Sequence, residues 1–204
     1  MNNLNNFISE KKYLENLFQD SINRKIPVID YEVGRLLEAI IFLKQQKSIL
    51  EIGCGEGYST YYILKNFKSG TYIGIDLNKD RLSKAKNFIS SSFPDVNATF
   101  INGNALNIIP ELDNFFDFVF IDGAKFEYKN YLEVTIRKLE DNAIIIADNV
   151  FFDEKIFAKH VKDHDKNSVN GLKQFIEFIE DKNLFETIFL DIGDGLSISR
   201  YKKK

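Results

Sequence analysis

The sequence predicts an α/β fold: a doubly wound, seven-stranded, mostly parallel sheet that ends in an antiparallel hairpin. Three observations carry this. From Ser48 onward short apolar runs alternate with helical patterns, the order that builds parallel strands joined by crossover helices. Several runs, FDFVFID and AIIIAD among them, are apolar almost without interruption, as strands are when helices cover both faces of their sheet. The last two runs, LFETIFLDI and GLSISRY, meet at Gly193, Asp194 and Gly195, a turn too short for a crossover.

Taken in order, Leu4, Phe7, Ile8, Leu14, Leu17 and Phe18 recur at three- and four-residue intervals. This predicts an amphipathic helix over 4–18, outside the α/β repeat, that covers a site or a second subunit. After Pro27 a second helix is expected, with Asp30 as N-cap ahead of Leu36, Leu37, Ile40 and Ile41. Strands are expected at 48–52, 71–75, 98–101, 117–121 and 142–147, and helices near 57–67, 78–91, 104–112 and 126–139. Residues 151–167, FFDEKIFAKHVKDHDKN, read as a polar helical stretch, and an amphipathic helix with Leu172, Phe175, Ile176 and Ile179 follows. Residues 1–204 are read as one domain, with 1–45 a helical cover and 46–204 the α/β core.

Composition excludes several classes. A net charge of −3 supplies no global positive field for nucleic acid. No stretch approaches the roughly 18 apolar residues of a membrane span, and the start, MNNLNNFISEKKYL, has no apolar leader. A cytoplasmic protein without a membrane partner is expected. The single cysteine, Cys54, excludes an internal disulfide and a multi-cysteine metal site. It is read as a small loop residue rather than a nucleophile.

The chain is organised around residues 48–60, SILEIGCGEGYST. A strand delivers Glu51 into a turn holding Gly53, Gly55 and Gly57, and a helical pattern follows. Such glycines let backbone approach a ligand at the N-terminus of the first crossover helix. The spacing G-x-G-x-G, with an acid two residues earlier, differs from the dinucleotide fingerprint G-x-G-x-x-G. Asp76 ends the next apolar run, where a carboxylate can accept both ribose hydroxyls of an adenosine.

Ligands in such sheets bind beyond the carboxyl ends of the strands. Strand four there ends at Asp122 and strand five at Asp148 and Asn149. These oxygens suit a hard divalent cation such as Mg²⁺ or Mn²⁺; the plainer reading is that the acids cap helices. His160 and His164 stand at i, i+4, a zinc spacing, but among charges that read as a solvated face. Tyr61 and Lys65 match Y-x-x-x-K in the wrong place for a dehydrogenase.

The pattern E-x-G-x-G-x-G resembles motif I of the class I S-adenosylmethionine-dependent methyltransferases, which share a Rossmann-like seven-stranded sheet. From PVIDYEVGRLL through EIGCGEGYS, GIDLN, GNAL, FIDGAKFEYKNYL and ADNV to DIGDGLSISR, the chain resembles the divalent-metal-dependent O-methyltransferases related to catechol and caffeoyl-CoA O-methyltransferases. The resemblance implies S-adenosylmethionine and Mg²⁺ (or Mn²⁺). It implies Asp122, Asp148 and Asn149 as metal ligands, and Val28, Glu51, Gly53, Ser59, Asp76, Ala105 and Asp122 around the cofactor. Lys125, with Asp122, falls at the catalytic position, where the family's general base stands. Two departures are the FFDEK segment after ADNV and the lack of the plant enzymes' substrate-binding insertion.

The implied reaction activates one hydroxyl of a substrate with two adjacent oxygens. Catechol-like small molecules fit, and so does 5-hydroxyuridine in a tRNA anticodon, which would become 5-methoxyuridine. Residues 151–170, with balanced lysines and acids, offer no obvious phosphate track. An NAD-dependent oxidoreductase is the alternative outside this class, and a homodimer is the expected assembly.

Overall fold

The computed structural model describes the backbone of residues 3–203 and the side chains of residues 8–203. Its sheet runs in the order β3-β2-β1-β4-β5-β7-β6. The strands are β1 (Ser48–Ile52), β2 (Thr71–Asp76), β3 (Ala98–Asn102), β4 (Phe116–Ile121), β5 (Leu139–Ala147), β6 (Phe185–Leu190) and β7 (Leu196–Tyr201). β1 to β5 pair in parallel, and β7 runs antiparallel to both β5 and β6. The predicted fold class is the one observed, closing hairpin included.

Strand alternation sorts the core into two layers. Ile49, Phe118, Phe120 and Ile146 pack with Val33, Leu37 and Ile41 of α2 (Tyr31–Lys44) and with Tyr62 and Ile63 of α3 (Tyr58–Lys65). Their neighbours Leu50, Val119, Ile121 and Ile145 pack on the other face with Leu132 of α6 (Tyr128–Thr135) and with Leu172 and Phe175 of α7 (Lys166–Ile179). Burial of each such side chain contributes roughly 1.5–3 kcal/mol, and a slip of one residue would exchange the layers.

The N-terminal helix α1 (Asn3–Asn23) is longer than the 4–18 expected. Leu14, Leu17 and Phe18 pack on the α2/α3 layer of their own chain, while Ile8 is exposed. The side chains of Leu4 and Phe7 lie outside the described residues. Asp30 stands at the N-cap of α2 in extended conformation, but its side chain makes no capping bond; its carboxylate lies beside Gly193 instead. α4 (Lys79–Ser92) has the side-chain cap that α2 lacks: Asn78 accepts from the otherwise unpaired N–H groups of Asp80 and Arg81.

Three helical expectations are corrected. The one over 104–112 becomes α5 (Ala105–Ile108) and a 3₁₀ turn, Ile109–Glu111, because Pro110 has no N–H to continue the ladder. The one over 126–139 is α6 between 3₁₀ turns at Lys125–Glu127 and Ile136–Lys138. β5 already begins at Leu139, and an irregularity with Asn142 at φ +61° brings Ile144 opposite Phe118.

The third correction is residues 151–167, which form turns and short 3₁₀ segments up to the start of α7. Phe152, Asp153 and Glu154 all have positive φ, from 49° to 58°, a conformation no α-helix contains. The loop is held by the hairpin turn: Val150 N–H donates to Gly195 O at 3.0 Å, Phe151 N–H to Asp194 O at 3.0 Å, and Asp153 N–H to Asp194 Oδ1 at 2.6 Å. His160 and His164 therefore share no helix face. No helix of the described residues is long and apolar enough to cross a membrane.

Candidate active site

β1 and β4 are neighbours at the centre of the sheet, and the chain winds outward from them in opposite directions, so a crevice opens past their carboxyl ends. Gly53 has φ +91°, and a Cβ there would run into the carbonyl of Asp122. Only glycine lets the loops after β1 and β4 touch in this way. Gly53 N–H donates to Ile75 O at 2.8 Å, and Gly57 N–H closes the turn on Cys54 O at 2.9 Å.

The crevice is a cavity of about 300 Å³. One wall is the glycine loop, with Gly53 and Gly55; a second carries Asp76, Leu77 and Arg81; a third carries Gly103 and Ala105. Asp122, Lys125, Tyr131 and Asn149 line the remaining side, and Pro27 reaches it from the N-terminal segment. The structure therefore brings Gly53, Asp76, Ala105, Asp122, Lys125 and Asn149 together on one cavity.

Other site residues from the sequence stand back from that wall. Glu51 shares the face of Ile49 and is fully buried beneath the loop. Its carboxylate accepts hydrogen bonds from Ser59, from Thr60 Oγ1 at 2.7 Å and from the Tyr72 hydroxyl. Ser59 is thus a support for Glu51, and Val28 is half-buried against the α2/α3 layer. Burial pushes the Glu51 carboxyl up to about 7, against the three hydroxyl hydrogen bonds that pull it down.

A pH dependence follows from that shift. Since the folded value lies above the unfolded one, the fold favours protonated Glu51; this contribution is full below about pH 4.5 and fades as pH rises through about 7. Between pH 5 and 8 wild type should lose roughly 2–3 kcal/mol of stability relative to Glu51→Gln. Urea unfolding of both proteins at the two pH values checks this, and a difference that stays constant refutes it.

Asp76 is held in place by backbone donors on both sides. Its Oδ2 accepts from Gly55 N–H at 2.8 Å and its Oδ1 from Asn78 N–H at 2.7 Å. Asn102 donates to the carbonyls of Asp76 and Leu77, holding the end of β2 against β3.

At the opposite end, Asp148 is buried, accepts from Asn149 N–H at 2.8 Å and lies near Asp122. Burial raises both carboxyls above the usual range; the charge of Asp122 raises Asp148 further, whereas Lys125 draws Asp122 back down. Lys125 Nζ donates to Asn149 Oδ1 at 3.1 Å and stands 5.6 Å from the centre of the Phe152 ring. Asn149 itself has φ +53°, a strained conformation of the kind that clusters at working sites. The Tyr128 hydroxyl donates to Asp148 O at 3.0 Å and fixes the strand end. Among the described residues no group of three or more His, Cys, Asp or Glu side chains is arranged to hold a metal ion. A cation here would have two carboxylates and one amide oxygen, a hard donor set that fits Mg²⁺ or Mn²⁺.

Sequence reasoning missed Leu77, Arg81, Gly103, Pro27 and Tyr131 as cavity residues. Tyr131, whose hydroxyl donates to Glu127 at 2.6 Å, comes from the helix behind Gly123. The only signal for it is the small residue at 123 that makes room for the ring.

Comparison with known proteins agrees with this geometry. The profile of the O-methyltransferase family matches residues 5–202. A catechol O-methyltransferase of Niastella koreensis is 27% identical over 183 residues, 83% of this chain and 80% of that protein. The tapetum-specific methyltransferase 1 of Arabidopsis thaliana is 25% identical over 171 residues, 80% of this chain and 73% of that protein. Among solved structures, an O-methyltransferase from Bacillus cereus in complex with SAH superposes with a TM-score of 0.81 at 23% identity, covering 93% of this chain and 90% of that one. TomG from Streptomyces achromogenes, in complex with SAM, gives 0.81 at 22% identity, covering 93% and 89%. With a sheet that ends in an antiparallel pair and a match over nearly its whole length, this chain is a class I methyltransferase and belongs to the O-methyltransferase family.

Proposed function

We propose that the protein methylates one hydroxyl of a small catechol-like substrate, using S-adenosylmethionine and a divalent cation. The observation that carries this is the meeting of Asp122, Lys125 and Asn149 with the glycine loop and Asp76 on one cavity, with buried Asp148 near Asp122. The family assignment displaces the NAD-dependent alternative.

When bound, S-adenosylmethionine supplies an electrophilic methyl group and the cation supplies positive charge that favours an ionised hydroxyl on a substrate with two adjacent oxygens. Asp122, Asp148 and Asn149 would hold the cation. Asp76 would accept hydrogen bonds from the ribose hydroxyls, and Gly53 and Gly55 would leave room for the rest of the cofactor. Lys125, when its amine is unprotonated, would take the proton of the hydroxyl to be methylated, leaving that oxygen free to accept the methyl group, with S-adenosylhomocysteine as the other product. Most of the catalysis by these residues is positioning and charge control.

The loop beyond Asn149 favours a small substrate over tRNA. Its Lys155 is paired with Asp153 at 3.0 Å and Asp165 at 3.5 Å, so this cation is not free for phosphate. The deciding experiment pairs an in vitro screen of catechols with mass spectrometry of tRNA nucleosides from cells lacking the protein. Loss of 5-methoxyuridine from that tRNA, with no catechol turned over, would replace the small molecule by the anticodon.

Cofactor identity is tested separately. Isothermal titration should show micromolar binding of S-adenosylhomocysteine and none of NAD(H). Asp76→Ala should weaken the former by about 1.5–3 kcal/mol, the usual loss for a hydrogen bond to a charged group. Equal binding by the variant would remove Asp76 from the cofactor site.

A further inference from the structure

Glu56 stands at the crown of the glycine loop, between Gly55 at φ +52° and Gly57 at φ +92°. Its carboxylate is gripped from two sides. Arg24, just past the end of α1, meets it with both guanidinium arms, Nη1 to Oε1 at 2.9 Å and Nη2 to Oε2 at 2.7 Å, and Lys84 of α4 adds a contact to Oε1 at 2.9 Å. Arg24 is itself oriented by Asp20, through Nε at 2.8 Å. The Glu56 side chain is only 11% exposed, so this bidentate pair is less screened than an ordinary surface ion pair. Arg24 is the first cause of a Glu56 carboxyl held below its usual range.

The position of Arg24 gives the pair a role. Three residues on, Pro27 forms part of the cavity wall. The intervening chain leaves the helix through Lys25 at φ +56°. The other half of α1 is fastened independently, by buried Leu14 and by Glu10 on Lys65 of α3 at 2.6 Å, with Lys65 also 3.0 Å from Glu38. Parting of Arg24 from Glu56 would therefore loosen the exposed Lys25 and Pro27 from the loop crown, while buried Ile26, whose N–H donates to Ser21 O at 2.9 Å, keeps the turn on the helix.

We propose that Arg24 and Glu56 form a clasp that closes the 24–28 segment against the glycine loop, so that cofactor leaves the cavity only when the pair parts. Both are positioning residues, and the proposal rests on reading the cavity as the S-adenosylmethionine site. The part of the effect that is binding free energy is reciprocal by linkage: as far as the closed clasp tightens cofactor binding, bound cofactor favours the closed clasp.

Stopped-flow dissociation of S-adenosylhomocysteine from the full-length protein tests it. Arg24→Ala and Glu56→Gln should each speed dissociation about three- to tenfold, and Arg24→Lys, which keeps charge but not the fork, should fall between. Raising salt to about 0.5 M should speed release from wild type but not from Arg24→Ala. Saturating S-adenosylhomocysteine should also slow tryptic cleavage after Lys25 in wild type and protect Arg24→Ala much less. Unchanged dissociation in both variants, with wild type binding normally, overturns the clasp. Failure of wild type to bind S-adenosylhomocysteine at all overturns the cofactor reading, and the clasp with it.

Discussion

EDTA is expected to abolish methyl transfer, and Mg²⁺ or Mn²⁺ to restore it, while Asp148→Ala should lower kcat by about 10³-fold, equivalent to the several kcal/mol that Lewis-acid charge supplies. The reason lies in the carboxylate pair. Asp148 is buried with one backbone N–H donor, and the charge of Asp122 lies close enough to raise its pKa. Two buried carboxylates so close are costly to ionise together unless a cation joins them. Mg²⁺ should therefore also raise the thermal midpoint of wild type, as any ligand of the folded state does, and leave that of Asp148→Ala where it was. Asp122→Ala is expected to harm cofactor binding as well, since Asp122 lines the cavity next to Gly53. Full activity in EDTA together with a fast Asp148→Ala enzyme would leave these carboxylates a structural role only.

The second large effect belongs to Lys125. Replacement by alanine should reduce kcat by about 10²–10⁴, the range for a lost general base, with S-adenosylhomocysteine affinity little changed. Lys125→Arg separates the two roles open to this cation. Arginine keeps the charge beside Asp122 but cannot lose its proton at accessible pH, so it should be nearly as slow as alanine. Recovery of most of the rate by arginine would make Lys125 an electrostatic partner of Asp122 rather than a base.

The framework of this site was legible because it depends on local rules. Glycine spacing, apolar runs and the acids that end them mark strand ends, and strand ends in a doubly wound sheet define the crevice. The resemblance sets Glu51 beside the cofactor, and nothing in the motif announces the buried hydroxyls of Ser59, Thr60 and Tyr72 that its carboxylate meets. What was not legible depends on distant partners. Residues 151–167 carry helix-forming lysines and acids, yet bonds to Asp194 and Gly195 hold the first part of this stretch in left-handed turns. Tyr131 and Pro27 reach the cavity only after α6 and the N-terminal segment have packed, and no spacing within either segment announces it.

The strand order also sets when this enzyme can first work. Every side chain named on the cavity has been synthesised by Asn149, but the loop that follows is held by Asp194 and Gly195, and β6 reaches the sheet only through β7, which follows it in the chain. A nascent chain that has not yet exposed β7 thus possesses its chemical groups without the support behind them. Activity should switch on abruptly, when β7 pairs with β5, and loss of that one strand should silence a protein whose cavity residues are all intact.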